Sequence, residues 1–258
     1  MEIRKLGAAR GWTWVKQGYQ LLMRNPLLGI SSALLSVLSV FVALMLPAIG
    51  PLLAVALMPI MLAGFMRVCR ALEENEKVAP AMLLAGFRKH TSSLIALGAF
   101  LMLGMMFAST VMVTVGGESF AAVMEKMHSA EDSQLLMQAI ASGDSRVSLA
   151  VLAGLTLMLA LVVAWQYAPI LVFFSGVSPW LALRASFAGT LRNIIPYTVY
   201  SLIMQVLTML LGILPFGIGM LLLLPLAMAS LYVSYRNIFP WLDEAAPEAA
   251  PPPPETNQ

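Results

Sequence analysis

The distribution of positive charge constrains the fold of this chain more than any other feature. All fifteen Lys and Arg residues lie outside four long apolar blocks without charged residues, namely Leu27–Met66, Ser92–Gly117, Val147–Ala182 and Asn193–Tyr235. The chain has 258 residues, of which 60% are hydrophobic and 11% charged, whereas soluble domains carry about 25% charged residues. The sequence therefore predicts an integral membrane protein.

The lengths of the apolar blocks predict the number of membrane spans, because a helix needs about 20 apolar residues to cross the hydrocarbon. The first and last blocks are long enough for two spans each, and Pro and Gly residues interrupt them at Pro47–Pro51 and Pro215–Gly217. The predicted spans are residues 27–47, 50–68, 92–115, 148–174, 196–214 and 217–236. We therefore expect an all-α, polytopic membrane helix bundle with six transmembrane helices.

The charges between the spans predict the orientation, because Lys and Arg are enriched in cytoplasmic segments. With a cytoplasmic N-terminus, thirteen of the fifteen basic residues fall inside, and only Lys126 and Arg146 fall outside. We expect a multi-pass membrane protein with both termini in the cytoplasm, and the family resemblance described below implies that the membrane is the bacterial inner (plasma) membrane. Its basic side should attract anionic lipid headgroups. Nucleic-acid binding is not expected, because the chain has no compact basic domain.

The chain is predicted to contain three parallel units. Each unit has an amphipathic interfacial helix on the cytoplasmic side, an outgoing span and a returning span with an internal proline. The interfacial helices are predicted at Gly11–Asn25, Pro80–His90 and Pro179–Asn193, and the prolines are Pro59, Pro169 and Pro225. Aromatic and aliphatic residues recur at helical spacing around Lys16 in the first of these helices, so its rings, including Trp14, are expected in the headgroup layer. The prolines bend their helices and could line a central cavity, although we expect them to shape a packed bundle.

Two regions are predicted to lie outside the bundle. The outside segment 116–147 contains apolar residues at helical spacing, which predicts two short amphipathic helices broken near Ser129–Ser133. The tail 241–258 is rich in proline and cannot build a core, so we expect it to be disordered on the cytoplasmic side. Residues 1–240 then form the integral membrane domain.

Several segments of the chain resemble a bacterial family. They are Arg24–Pro26, Gly64–Arg67, Ala185–Phe187 with Arg192, Asn193 and Pro196, and Ala229–Arg236. Over roughly residues 10–240, these segments look like an uncharacterised family of six-span inner-membrane proteins. That family is similar in layout to the YciC group and to the membrane domain attached to some glycerophosphodiester phosphodiesterases. The resemblance implies a plasma-membrane protein and supplies no catalytic residues.

The predicted spans offer little for catalysis or for ion-coupled transport. Charged residues inside a membrane usually mark function, and the four apolar blocks contain none. An intramembrane enzyme would need a base facing its nucleophile, so we expect no enzyme and no cofactor. Glu125, His128 and Asp132 share one face of a predicted outside helix, but a metal site would need ligands from a second helix. We expect a solvated face there and no metal site.

Two sets of residues are the candidate sites. Gln166 and Gln205 lie in spans four and five, where they could form a polar intramembrane site or an interhelical hydrogen bond. Arg24–Asn25 and Arg192–Asn193 recur where an interfacial helix turns into the bilayer. They could snorkel and cap helices, or they could bind lipid phosphate, because the arginine fork matches that geometry.

The predicted function is non-enzymatic: envelope maintenance, scaffolding or lipid organisation, with membrane lipids and an unspecified membrane protein as candidate partners. The alternative is a permease for a hydrophobic or neutral solute, with the proline-containing spans as gates. A polar cavity at the bilayer midplane lined by Gln166 and Gln205 would favour the permease. A closely packed bundle with grooves that open to lipid would favour the first function.

Overall fold

The computed structural model describes residues 3–130, 145–213 and 218–240, and all regular structure in these ranges is helical. The elements are α1 (Arg10–Arg24), α2 (Pro26–Leu44), α3 (Gly50–Glu73), a 3₁₀-helix (Pro80–Phe87), α4 (Thr91–Ala130), α5 (Ser145–Trp165), α6 (Ala168–Ser175), α7 (Pro179–Arg192), α8 (Ile194–Gly212) and α9 (Ile218–Ile238). The predicted all-α fold class is confirmed.

Six segments of the described chain are long and apolar enough to cross a membrane. They are Pro26–Leu44, Gly50–Glu73, Thr91–Glu125, Ser145–Ser175, Ile194–Gly212 and Leu221–Ile238. Local sequence explains where some of them begin. Asn25 caps α2 with its side chain and Pro26 occupies the first turn, where its missing N–H is not needed. The predicted break at 215–217 and the tail 241–258 lie outside the described residues.

The ends of α4 and α5 pack together beyond the predicted spans. α4 bends at Gly117, whose φ of 57° is a conformation that favours glycine. After the bend, Phe120 is buried against Val147 and Ala150 of α5. The first predicted outside helix is therefore the continuation of α4. Residues 131–144, with the second predicted helix and Asp132, lie outside the described residues.

The three returning spans form the centre of the bundle. α3, the α5–α6 pair and α9 supply most of the largest buried side chains, among them Phe65, Met66, Leu171 and Tyr232. Pro59, Pro169 and Pro225 are all buried in these spans. The outgoing span α8, in contrast, has Pro196 as its only fully buried residue, so much of its apolar surface is left uncovered by the described residues.

The interfacial elements join the three units into a ring. The 3₁₀-helix of the second unit packs on α3 of the first, and α7 of the third unit packs on α5 and α6 of the second. α1 packs on α9, the returning span of the last unit, which closes the ring. This cyclic order is the arrangement expected of parallel repeats related by an axis along the membrane normal. All three interfacial elements lie at one end of the bundle, hereafter the basic end.

Two interfacial elements differ from their predictions. Trp14, expected in the headgroup layer, is completely buried and contacts Tyr200 edge to face at 6.2 Å. The second element is a 3₁₀-helix instead of an α-helix. Side chains three residues apart eclipse in a 3₁₀-helix, so Leu83 and Gly86 both meet α3, and the Leu83 carbonyl lies against Gly64. In both cases, packing on a membrane span decides the outcome.

Candidate functional site

Gln166 lies in a buried hydrogen-bonded cluster between α5, α7 and α8. Its amide nitrogen donates to Thr190 Oγ1 at 2.6 Å, and its carbonyl oxygen accepts from the Tyr197 hydroxyl at 2.8 Å. Gln166 is only 9% exposed. Both ends of the amide therefore bind protein groups, so this residue acts as an interhelical hydrogen-bonding group in the structure.

Ser186 of α7 inserts its hydroxyl into the break between α5 and α6. The Tyr167 N–H donates to Ser186 Oγ at 3.1 Å, and Ser186 Oγ donates to the Val163 carbonyl at 2.9 Å. These two bonds replace the helical bond that would join Tyr167 directly to Val163. No role of Ser186 is predicted from the sequence, although this residue lies in one of the segments that carry the family resemblance.

Gln205 is exposed on α8 and takes no part in the Gln166 cluster. Tyr197, which binds Gln166, precedes Gln205 by eight residues, or about 12 Å along a helix. The structure therefore does not bring the two glutamines together, and they do not form the polar midplane cavity that would favour a permease.

Arg24 and Asn25 both cap helix ends at the basic end. Arg24 Nη1 donates to the carbonyls of Leu72 at 2.9 Å and Glu73 at 2.8 Å, which satisfies the C-terminus of α3. Asn25 Oδ1 accepts from the Leu28 N–H at 3.3 Å. This pair thus fits the capping interpretation, while Arg24 also lines a cavity described below.

Asn193 has a different role from Asn25, although the two occupy equivalent places in their units. It is 1% exposed, accepts from the Leu6 N–H at 2.8 Å and donates to the Arg4 carbonyl at 2.9 Å. Asn193 therefore holds the N-terminal segment against the bundle. Arg192, the last residue of α7, is exposed.

A cavity of about 540 Å³ lies at the basic end between α1, the C-termini of α3 and α9, and the N-terminal segment. We call it the basic cavity. Its lining residues are Arg4, Leu6, Arg10, Gln17, Gln20, Leu21, Arg24, Glu73, Val233, Arg236 and Asn237. Four of these side chains are arginines and only one is a carboxylate, so the lining carries an excess of positive charge.

A second polar cavity, of about 560 Å³, lies beside the 3₁₀-helix. Two of its arginines have counter-charges, because Arg67 pairs with Glu76 at 2.6 Å and Arg70 pairs with Glu74 at 2.8 Å, while Arg88 and Lys89 add two further positive charges to the lining. The hydrogen bond from Arg67 lowers the pKa of Glu76. Lys89 lies 5.7 Å from the centre of the Phe173 ring, and both residues line the same cavity.

Two further concavities are apolar. A groove of about 640 Å³ between α4, α5 and α7 is lined by apolar side chains together with Trp180 and Arg184; we call it the lateral groove. A cavity of about 370 Å³ lies between α2, α3, α5 and α9 and includes Met58, Trp165 and Met228; we call it the midplane cavity.

Of the three residues considered for a metal site, only Glu125 has a described side chain. Glu125 is exposed on α4. Asp132 and Asp144 lie outside the described residues, as does the side chain of His128. Among the described residues there is no group of three or more His, Cys, Asp or Glu residues that could hold a metal ion.

Comparison with known proteins finds a relative that is named as an inner-membrane protein. The chain is 28% identical over 209 residues to a protein of Burkholderia thailandensis named "Probable inner membrane protein". The alignment covers 79% of this chain and 75% of the relative. No family model matches the chain, and no solved structure matches it. The similarity to the YciC group and the phosphodiesterase membrane domain stays a prediction. Together, this relative and the six apolar helices indicate a multi-pass inner-membrane protein.

Proposed function

We propose that the protein is a non-enzymatic, lipid-organising protein of the inner membrane, with a role in envelope maintenance or scaffolding. One observation carries the proposal. The buried polar groups of the Gln166 cluster bind one another, whereas the lateral groove, the largest of the four concavities described above, is apolar and lies on the side of the bundle. Such a surface suits lipid chains better than a polar solute.

The chemistry of the lateral groove fits a phospholipid. Phe100, Leu161 and Phe187 line it with apolar surface that acyl chains can contact. Trp180 and Arg184 are exposed parts of the same lining, and these residue types prefer the membrane interface, where an arginine can reach lipid phosphate. The groove thus combines surfaces for both parts of one lipid.

Mass spectrometry of lipids retained after extraction in native membrane discs tests this proposal. Ala188→Trp fills the lateral groove, while Ala99→Trp places the same side chain on an exposed part of α4 that does not line it. We expect the wild-type protein and Ala99→Trp to retain phospholipid through transfer into detergent, and Ala188→Trp to retain less. Equal retention by all three proteins would contradict the proposal.

A permease for an apolar solute is the second candidate function, and the midplane cavity favours it. That cavity is almost wholly apolar and lies between two proline-containing spans, α3 and α9. Release of an apolar fluorescent solute from proteoliposomes separates the two functions. A permease would accelerate release above that of protein-free liposomes, and Met228→Trp, which fills the cavity, would abolish the acceleration. Release at the protein-free rate supports lipid organisation.

A further inference from the structure

We infer that the basic cavity binds a phosphate group, carried either by an anionic lipid headgroup or by a soluble phosphate ester. The lipid case rests on the function proposed above, whereas the soluble case does not. The inference concerns a different place from the lateral groove, because the two linings share no residue.

The charges of the basic cavity are unbalanced. Its only carboxylate, Glu73, already pairs with Arg236 and accepts a hydrogen bond from the Tyr232 hydroxyl at 2.8 Å. Four arginines minus one glutamate leave an excess of three positive charges in the lining. The excess is smaller in the second polar cavity, where Arg67, Arg70, Arg88 and Lys89 minus Glu74 and Glu76 leave two positive charges, and where Arg67 and Arg70 each pair with one of the glutamates. An anion would relieve the mutual repulsion in the basic cavity.

One arginine side chain and the backbone of a second arginine are held in place before any ligand binds. The Arg24 guanidinium is fixed by the carbonyls at the end of α3. The backbone of Arg4 is fixed on both sides, because its N–H donates to the Ile238 carbonyl at 3.0 Å and its carbonyl accepts from Asn193 at 2.9 Å. Preorganised groups lose less conformational entropy on binding. The fixed Arg24 guanidinium and the fixed Arg4 backbone therefore make the cavity suited to a ligand.

Arg10 is placed to reach a ligand in the cavity. It is exposed, and its side chain makes a long contact of 3.5 Å with Asn237 Oδ1. Gln17 and Gln20, about two and three turns of α1 beyond Arg10, add amide donors to the same lining. The cavity therefore offers several donors from α1 as well as Arg4 of the N-terminal segment and Arg236 of α9.

The number of arginines distinguishes phosphate from other anions. A carboxylate has two oxygens and satisfies one arginine fork bidentately, whereas a phosphate has more acceptor oxygens and suits several forks. Basic pockets on the cytoplasmic side of membrane proteins commonly bind phosphorylated headgroups. With arginines on α1, α9 and the N-terminal segment around one cavity, phosphate is the ligand whose geometry fits.

The test compares Arg10→Gln with Lys16→Gln in the full-length protein. Both substitutions remove one positive charge from α1, but Lys16 does not line the cavity. Phosphatidylglycerol is titrated into the delipidated protein in detergent and bound lipid is counted by native mass spectrometry, with inorganic phosphate as a parallel probe. We expect Arg10→Gln to weaken binding by about tenfold, the effect of losing one charged hydrogen bond, and Lys16→Gln to leave binding unchanged.

Each outcome has one meaning. If Arg10→Gln weakens the binding of phosphatidylglycerol but not of inorganic phosphate, the ligand is a lipid headgroup. If Arg10→Gln weakens the binding of both probes, the site is open to soluble phosphate. Equal binding by Arg10→Gln and Lys16→Gln overturns the inference. If Arg10→Gln does not fold, Gln20→Glu, which adds a negative charge to the exposed cavity lining, must weaken binding instead. The Ala188→Trp experiment reports on the lateral groove separately, so the proposed function and the phosphate site can fail independently.

Discussion

Ser186 shows how one side chain can set the shape of a membrane span. Its hydroxyl accepts from Tyr167 and donates to Val163, so both backbone groups stay bonded where α5 ends and α6 begins. A break inside the bilayer is tolerated only when such groups are satisfied by the protein. Pro169, two residues after Tyr167, has no N–H to donate to the Trp165 carbonyl, so the helix lacks that bond as well.

Ser186→Ala is expected to lower the free energy of unfolding by about 1–3 kcal/mol, the cost of leaving buried backbone groups without partners. Unfolding by SDS titration in detergent micelles measures this change. Ser201→Ala serves as the control, because Ser201 is exposed on α8 and should change stability little. Two variants of equal stability would show that the inserted hydroxyl does not hold the break.

At the scale of elements, α1 behaves as part of the bundle. Gly18 faces α9 so closely that an added Cβ would lie 2.5 Å from Ser230 Oγ and 2.8 Å from the Ser230 nitrogen. Gly11, Trp14, Leu21 and Leu22 lie buried on the same helix. Glycines allow this close approach of helix backbones, so α1 closes the ring through direct backbone packing.

Gly18→Leu is therefore expected to separate α1 from α9 and to destabilise the protein by about 1–3 kcal/mol, the usual cost of overpacking. Thermal unfolding in detergent, followed by circular dichroism, measures the effect. Lys16→Leu adds the same side chain to the exposed face of α1 and should be tolerated. If Gly18→Leu unfolds at the same temperature as Lys16→Leu, α1 does not pack on α9 as described.

At the scale of the whole molecule, the ring gathers most of the basic residues at one end. The N-terminal segment, the three interfacial elements and the C-termini of α3 and α9 all lie at this end. Because cytoplasmic segments are enriched in Lys and Arg, the basic end is predicted to face the cytoplasm, and the joined ends of α4 and α5 are predicted to face outward.

Cysteine labelling tests this orientation. Lys77 is exposed near the basic end and Glu118 is exposed just beyond the bend of α4, while the single native cysteine, Cys69, is fully buried. In spheroplasts, a membrane-impermeant maleimide should label Glu118→Cys and should label Lys77→Cys only after lysis. The opposite pattern would invert the predicted topology.

Hydropathy and charge along the chain were sufficient to predict the number and approximate position of the spans and the unequal distribution of Lys and Arg between the segments that connect them. These properties sum hydropathy and charge over about 20 residues, so single contacts do not change them. Gln166 was also recognised from sequence as a polar residue in need of a partner, because an apolar span makes such a residue conspicuous.

The contacts between residues that are distant in sequence, in contrast, follow from the tertiary structure. Thr190 and Tyr197 are the partners of Gln166, and Gln205 remains exposed. Asn25 caps its own helix while Asn193 holds the N-terminal segment, although local sequence makes the two equivalent. The four arginines of the basic cavity come from the N-terminal segment, α1 and α9. Such contacts depend on how distant helices pack, and local periodicity and composition carry no information about that packing.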